Sequence, residues 1–199
     1  TESGAYKFKE AVGIRIEILA NDVCLDLNEQ TLTVNSDTLP AIFGSNCNNI
    51  TIKNGTIKNP SGSGIQLNTT NQLLLQDLRF QPVQTAIRFI SCTNGCLKNI
   101  DASSNSIVAN SLITISRGHT FTVSKVDISD CTINRVSSSG FGLVDFDGTD
   151  NVNFNCCTIN KNICADTSSF VPLYFIGCDN VVVEDSQIND NTCSSLNLS

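Results

Sequence analysis

The 199-residue chain has no tryptophan, no methionine, two tyrosines and one histidine. Aromatics make up only 6% against 40% hydrophobic residues. The apolar load therefore falls on Ile, Val, Leu and Phe, side chains that favour strands. Basic residues are also scarce, 12 against 19 acidic, for a net charge of −7. Binding to a phosphate backbone needs clustered Lys and Arg, so no nucleic-acid partner is expected. No apolar run approaches the ~20 residues a membrane-spanning helix requires. The ten cysteines include no Cys-x-x-Cys pair. With one histidine, the ligand spacing of a zinc site is missing, and neither a metal nor a cofactor is expected. The chain opens on Thr1 without a secretory signal, so its numbering is expected to start on a processed product or a fragment.

What is present is a repeat. In Asn49-Ile50-Thr51-Ile52-Lys53-Asn54-Gly55-Thr56-Ile57 the apolar residues fall at 50, 52, 55 and 57. Spacing by two is strand spacing, and the step of three across Asn54-Gly55 is a strand broken by a one-residue bend. The phrase returns at 25–32, 73–80, 95–102, 126–133, 152–159 and 181–188. A further short strand precedes most copies, as in Ala41-Ile42-Phe43, Gly64-Ile65-Gln66-Leu67 and Leu143-Val144-Asp145-Phe146. Helical periodicity competes nowhere over a useful length. A strand-only period in the twenties is a solenoid signal.

The expected fold is all-β: a right-handed parallel β-helix of about seven coils with three short strands per coil. The division expected is an N-terminal cap at 1–13 and one β-helix domain at 14–199. Equivalent residues stack in columns. One inward column reads Leu27, Ile52, Leu75, Leu97, Ile128, Phe154, Val183, and a second reads Ile57, Phe80, Ala102, Ile133, Ile159, Ile188. The bend column reads Glu29, Asn54, Asp77, Asn99, Asp130, Cys156, Asp185. Asn and Asp tolerate a left-handed backbone, which accounts for their presence there.

The phrases Ala20-Asn21-Asp22-Val23-Cys24-Leu25-Asp26-Leu27-Asn28-Glu29-Gln30-Thr31-Leu32 and Asn48-Asn49-Ile50-Thr51-Ile52-Lys53-Asn54-Gly55-Thr56-Ile57 resemble the first and recurring coils of pectin-lyase-like right-handed β-helix proteins. The Asn- and Cys-rich style is similar to β-helix proteins of large DNA viruses. This fold carries lyases, glycosidases, tailspikes and non-catalytic adhesive or virion proteins, so the resemblance implies architecture more than activity.

Acid, base and histidine meet in one region only: Asp145, Asp147, His119, Arg117 and Arg88. Asp145 and Asp147 lie two apart on one strand face, roughly 6.5–7 Å. That separation is compatible with glycoside hydrolysis. The polygalacturonase branch of the resemblance carries Asn-Thr-Asp, Asp-Asp, Gly-His-Gly and Arg-Ile-Lys. This chain has only Arg117-Gly118-His119 and Asp145-Phe146-Asp147, in reverse order, so no catalytic residue is assigned. Asp147-Gly148-Thr149-Asp150 offers one acidic turn for Ca²⁺, with no second acidic residue expected to stack on it.

Cys131 with Cys157, and Cys164 with Cys193, are expected to be column neighbours, whereas Cys47 and Cys92 stand two coils apart. Stacked thiols acting as small apolar fillers fit this better than a disulfide framework. They favour a virion or a reducing cytoplasmic compartment over secretion. Four N-glycosylation patterns, at Asn49, Asn54, Asn68 and Asn197, are read as products of an Asn-rich repeat. Open β-helix ends need covering, and a homotrimer is the expected solution. The leading functional expectation is a non-catalytic structural or interaction module binding a glycan or protein partner. The alternative is a polysaccharide lyase or glycoside hydrolase acting on acidic polysaccharide.

Overall fold

The computed structural model describes residues 2–36, 39–103, 105–107, 111–129, 132–133, 142–164 and 171–193. All of its regular structure is strand, and every pairing between strands is parallel. The chain is a parallel β-solenoid, as the repeat predicts. Three faces follow one another around each coil. On face A eight strand segments stack, from Gly4–Lys7 through Val23–Asp26 to Val181–Glu184. Face B follows the bend and runs from Thr31–Thr33 to Gln187–Asn189. Face C runs from Ile16–Ile18 to Val171–Ile176. In the two most regular coils, Asn48–Asn68 and Asn71–Ile90, extended backbone continues through all three faces.

The core is a set of apolar columns. On face A, Leu25, Ile52, Leu75, Leu97, Val123 and Phe154 lie in register and are buried. On face C, Leu67, Phe89, Ile115 and Phe146 do the same. Phe146 stacks on Phe175 of the next coil at 5.0 Å. Each side chain thus packs on its counterparts above and below, so burial is shared between neighbouring coils.

The bend column has the predicted backbone. Asn54, Asp77, Asn99, Cys156 and Asp185 all have φ between 47° and 58°. In the first coil both Asn28 and Glu29 adopt positive φ. That coil carries two extra residues at the bend: Asp26 pairs with Lys53, yet Thr31 pairs with Thr56. Leu25, rather than Leu27, is therefore the partner of Ile52. Leu27 is instead buried in the corner, in the space a side chain at position 55 would need, which explains Gly55.

Three expectations need correction. The fifth copy is Phe121–Ile128 rather than 126–133: Val123 pairs with Leu97 and Phe154, and Ile128 pairs with Ile159. The bend position of that copy is Lys125, whereas Val126-Asp127-Ile128-Ser129-Asp130 imitates the phrase five residues late. Cys157 consequently falls beside Val126, and Cys131, its expected neighbour, lies outside the described residues. The last four coils carry a fourth strand, in a separate sheet of Ser106–Ile107, Thr132–Ile133, Ile163–Cys164 and Thr192–Cys193. Thr132–Ile133 belongs to that sheet, and Cys164 does pair in register with Cys193. The coil count also differs slightly from seven, because Gly4–Lys7 adds a rung to face A beneath Val23–Asp26.

Candidate functional site

Corners determine which polar groups reach the surface together. At the corner between faces C and A, Asn46, Thr69, Ser91, Arg117, Gly148 and Gly177 occupy one positive-φ column. The next residue in several coils is a small donor that closes the turn. Cys47, Cys92 and Cys178 thiols and the Thr70 and Thr149 hydroxyls each donate to the backbone carbonyl two residues back. Cys24, Cys47, Cys92, Cys96, Cys156 and Cys178 are free thiols. Burial pushes the Cys92 and Cys96 thiols above their ordinary range, which disfavours the reactive thiolate.

The structure places the sequence-predicted residues around this same corner. Glu17, Phe43, Gln66, Arg88, Thr114, Asp145 and Tyr174 form one face-C column. Asn68, Ile90, Ser116, Asp147 and Ile176 form the next. Asp145 and Asp147 thus share a face, with Arg88 two rungs below Asp145. Asp145 is only 5% exposed, whereas Asp147 and Arg88 are exposed. Arg117 occupies the corner, its backbone N–H donating to the Asp147 carbonyl at 2.7 Å. His119 has passed onto face A, between Thr93 and Asp150. Its Nδ1 lies 2.8 Å from Thr120 Oγ1 and its Nε2 3.4 Å from Asn151 Nδ2. The two aspartates thus share one strand face, and the histidine lies on another face. Residues 134–141 and 165–170 lie outside the described residues.

The acidic turn does acquire a neighbour, contrary to expectation. Asn151 N–H donates to the Asp179 carbonyl at 2.9 Å, which sets Asp179 beside Asp150 on the next rung. Among the described residues, no three His, Cys, Asp or Glu side chains converge on a point suited to a metal ion.

A second region was not singled out from sequence. An open cleft of about 690 Å³ follows the bend across the first coils, lined among others by Lys7, Asp26, Glu29, Asp77, Arg79 and Asp101. The two extra residues of the first coil form one end of it. Within it the polar groups are cross-linked from coil to coil. Asn54 Nδ2 donates to Asp26 Oδ1 at 3.1 Å and Asn99 Nδ2 to Asp77 Oδ1 at 2.6 Å. Arg79 pairs with Asp101 at 2.9 Å, and Lys53 stands 3.9 Å from Asp26. Partial burial works against ionisation of Asp26. The Asn28 N–H, the Asn54 amide and the Lys53 and Lys7 ammonium groups outweigh it and hold the carboxyl below its ordinary value. Amide donation from Asn99 and Gln76 holds Asp77 down likewise, with help from Lys98. Of the outward column Lys7, Asp26, Lys53, Gln76, Lys98, Lys7 and Asp26 line the cleft.

No family model matches the chain, and no curated protein matches it. Among solved structures it is similar to the catalytic domain of a GH87 alpha-1,3-glucanase (a D1068A variant in complex with tetrasaccharides), at 11% identity and a TM-score of 0.29. The match covers 98% of this chain and 63% of that one, so the chain spans less than two thirds of that domain's length. A likeness at that level carries no argument about activity.

Proposed function

We propose that the chain is a non-catalytic β-solenoid module that binds an extended, hydroxyl-rich glycan, or a protein presenting similar groups, along the bend cleft. The observation that supports this reading most is the state of the cleft's carboxylates. Asp26 and Asp77 are held below the ordinary carboxylate range by amide and ammonium donors. Neither is therefore poised as the protonated general acid that a glycosidase needs. Ionised carboxylates, amides and cations repeating at the strand spacing of about 4.8 Å make a ladder of weak, multivalent hydrogen-bonding positions. The coil phrases at 20–32 and 48–57 support placing the chain with pectin-lyase-like β-helices, and its thiol-filled corners fit a virion or a reducing compartment.

A direct test titrates the protein with a panel of neutral and acidic polysaccharides while reducing ends and unsaturated products are followed. The expected result is saturable binding without turnover, weakened about tenfold by Asp77→Ala or Arg79→Ala, a loss typical of one charge-assisted contact. The second reading, a lyase or glycoside hydrolase, is favoured by the Asp145/Asp147 pair on one strand face, spaced within the range for inversion. Turnover that disappears in Asp147→Asn while the Asp77 variant stays active would overturn the binding-module reading in favour of the enzyme.

A further inference from the structure

Resting on the glycan-binding reading above, we infer that the bend cleft takes neutral, hydroxyl-bearing polysaccharides and turns acidic ones away, with Glu29 setting that choice. Every cation at the cleft already faces a carboxylate. Lys7 and Arg79 line it, and Lys53 and Lys98 stand beside it in the outward face-A column. Arg79 Nε donates to Asp101 Oδ2 at 2.9 Å, and Lys53 Nζ lies 3.9 Å from Asp26 Oδ2. Lys7 pairs in register with Asp26, and the Lys98 ammonium acts on Asp77. These four cations thus meet three carboxylates. The fourth carboxylate of the lining, Glu29, stands exposed at the enlarged first bend, where its φ is 62°. Among the described residues it has no ion pair and no side-chain hydrogen bond. Next along the chain from Lys7, Lys9 and Glu10 offset one another, and Lys58 lies two residues beyond Thr56, outside the lining.

Lys7, Lys53, Arg79 and Lys98 balance Asp26, Glu29, Asp77 and Asp101 in number, so long-range attraction favours neither sign and short-range chemistry decides. That chemistry is rich in acceptors. Asp77 Oδ1 accepts from Asn99 Nδ2 and its Oδ2 from Gln76 Nε2. Asp101 Oδ1 accepts from the Ser103 N–H and its Oδ2 from Arg79. A carboxylate offers about four acceptor positions, so both retain room for a donor from outside. A sugar hydroxyl can donate to them and accept in turn. An ionised uronate can only accept. It would meet acceptors along the cleft, cations already facing carboxylates, and the bare Glu29 carboxylate at one end. An unpaired like charge set against the wrong ligand is a general source of specificity. A chain with an ammonium on every unit fits no better, because only Glu29 is unpaired while Lys7 and Arg79 repel the other units.

Titration calorimetry with soluble neutral glucans (dextran and hydroxyethyl cellulose), polygalacturonate and a chitosan oligomer tests this. The expected result is binding of a neutral glucan, with polygalacturonate weaker by at least about tenfold. Affinity for the neutral chain should change by less than about twofold between about 0.01 M and about 1 M salt, which shortens the screening length from about 30 Å to about 3 Å. Glu29→Lys should strengthen polygalacturonate binding about tenfold at low salt, and the gain should vanish at high salt. Asp101→Asn, which releases the Arg79 guanidinium, is an independent variant expected to act in the same direction. Polygalacturonate or chitosan binding the parent more tightly than the neutral glucans overturns the inference and leaves the glycan-binding reading standing. So does indifference of both variants to polygalacturonate. Binding of none of the probes removes the glycan reading itself, and the inference with it.

Discussion

At the scale of single residues, the inward asparagines at the end of face B stabilise what the apolar columns leave open. Asn59 is fully buried. Its amide donates to the carbonyls of Leu39 and Ser63 at 2.9 Å, and its oxygen accepts from the Ser36 N–H at 3.0 Å. Asn105 repeats the arrangement, donating to the carbonyls of Phe80 and Ala102 and accepting from the Val83 N–H. Replacing Asn59 by Ala leaves one buried N–H and two carbonyls without that partner, so a loss of about 2–4 kcal/mol is expected. The urea midpoint should fall at unchanged slope. Outward carboxylates behave differently, and pH reveals them. The folded pKa of Asp77 lies below its ordinary 3.8. Its contribution to stability is therefore present above the unfolded value and is lost as pH falls through the folded one. Asp77→Asn should be less stable than the parent at neutral pH, and the two should converge in urea titrations carried out well below pH 3.8. The bend column was legible from sequence because Asn and Asp advertise a left-handed backbone. The inward asparagines were not, because in a chain this rich in Asn their signature, one Asn two or three residues after the last apolar position, has no contrast.

At the scale of the strand, a coil is read correctly where its own signals agree and misread where a neighbouring coil compensates. Residues 95–102 look like a poor copy because Gly95 stands where Ile50 and Leu73 stand in the coils before it. The space is occupied from the next coil: a side chain at position 95 would run into the ring of Phe121, which is buried against Phe89 at 6.0 Å. Large stacked on small restores the packing across the pair, and single-coil reading cannot see it. Gly95→Ala should therefore destabilise by about 1–3 kcal/mol through overpacking. Combined with Phe121→Leu the effects should be clearly non-additive, because the smaller ring position releases the clash. The same blindness explains the slipped fifth copy. Lys125 lacks the Asn or Asp that marks the bend, Asp130 supplies a decoy, and only the pairing of Val123 between Leu97 and Phe154 decides between them. Around the corner, Asp145 and Asp147 share a strand face as expected, since period-two alternation on face C is unbroken there. The departure of His119 onto face A was not visible, because it depends on where Arg117 turns the backbone.

At the scale of the whole molecule, a solenoid has no single centre, and each coil is stabilised by its own packing and by its two neighbours. Interior coils have both neighbours, and among the described residues the rung at 181–189 has one. Amides such as those of Leu73 and Leu75 sit in the continuously extended coils whose columns are fully closed. Those of Val182 and Val183 belong to a rung whose inward side chains are exposed. Local opening free energies should therefore fall from the middle of the rod toward the C-terminal end, from nearly the global value to that of a fraying terminus. Native-state hydrogen exchange in dilute solution should show the strongest protection over 50–57 and 73–80 and the weakest over 181–189.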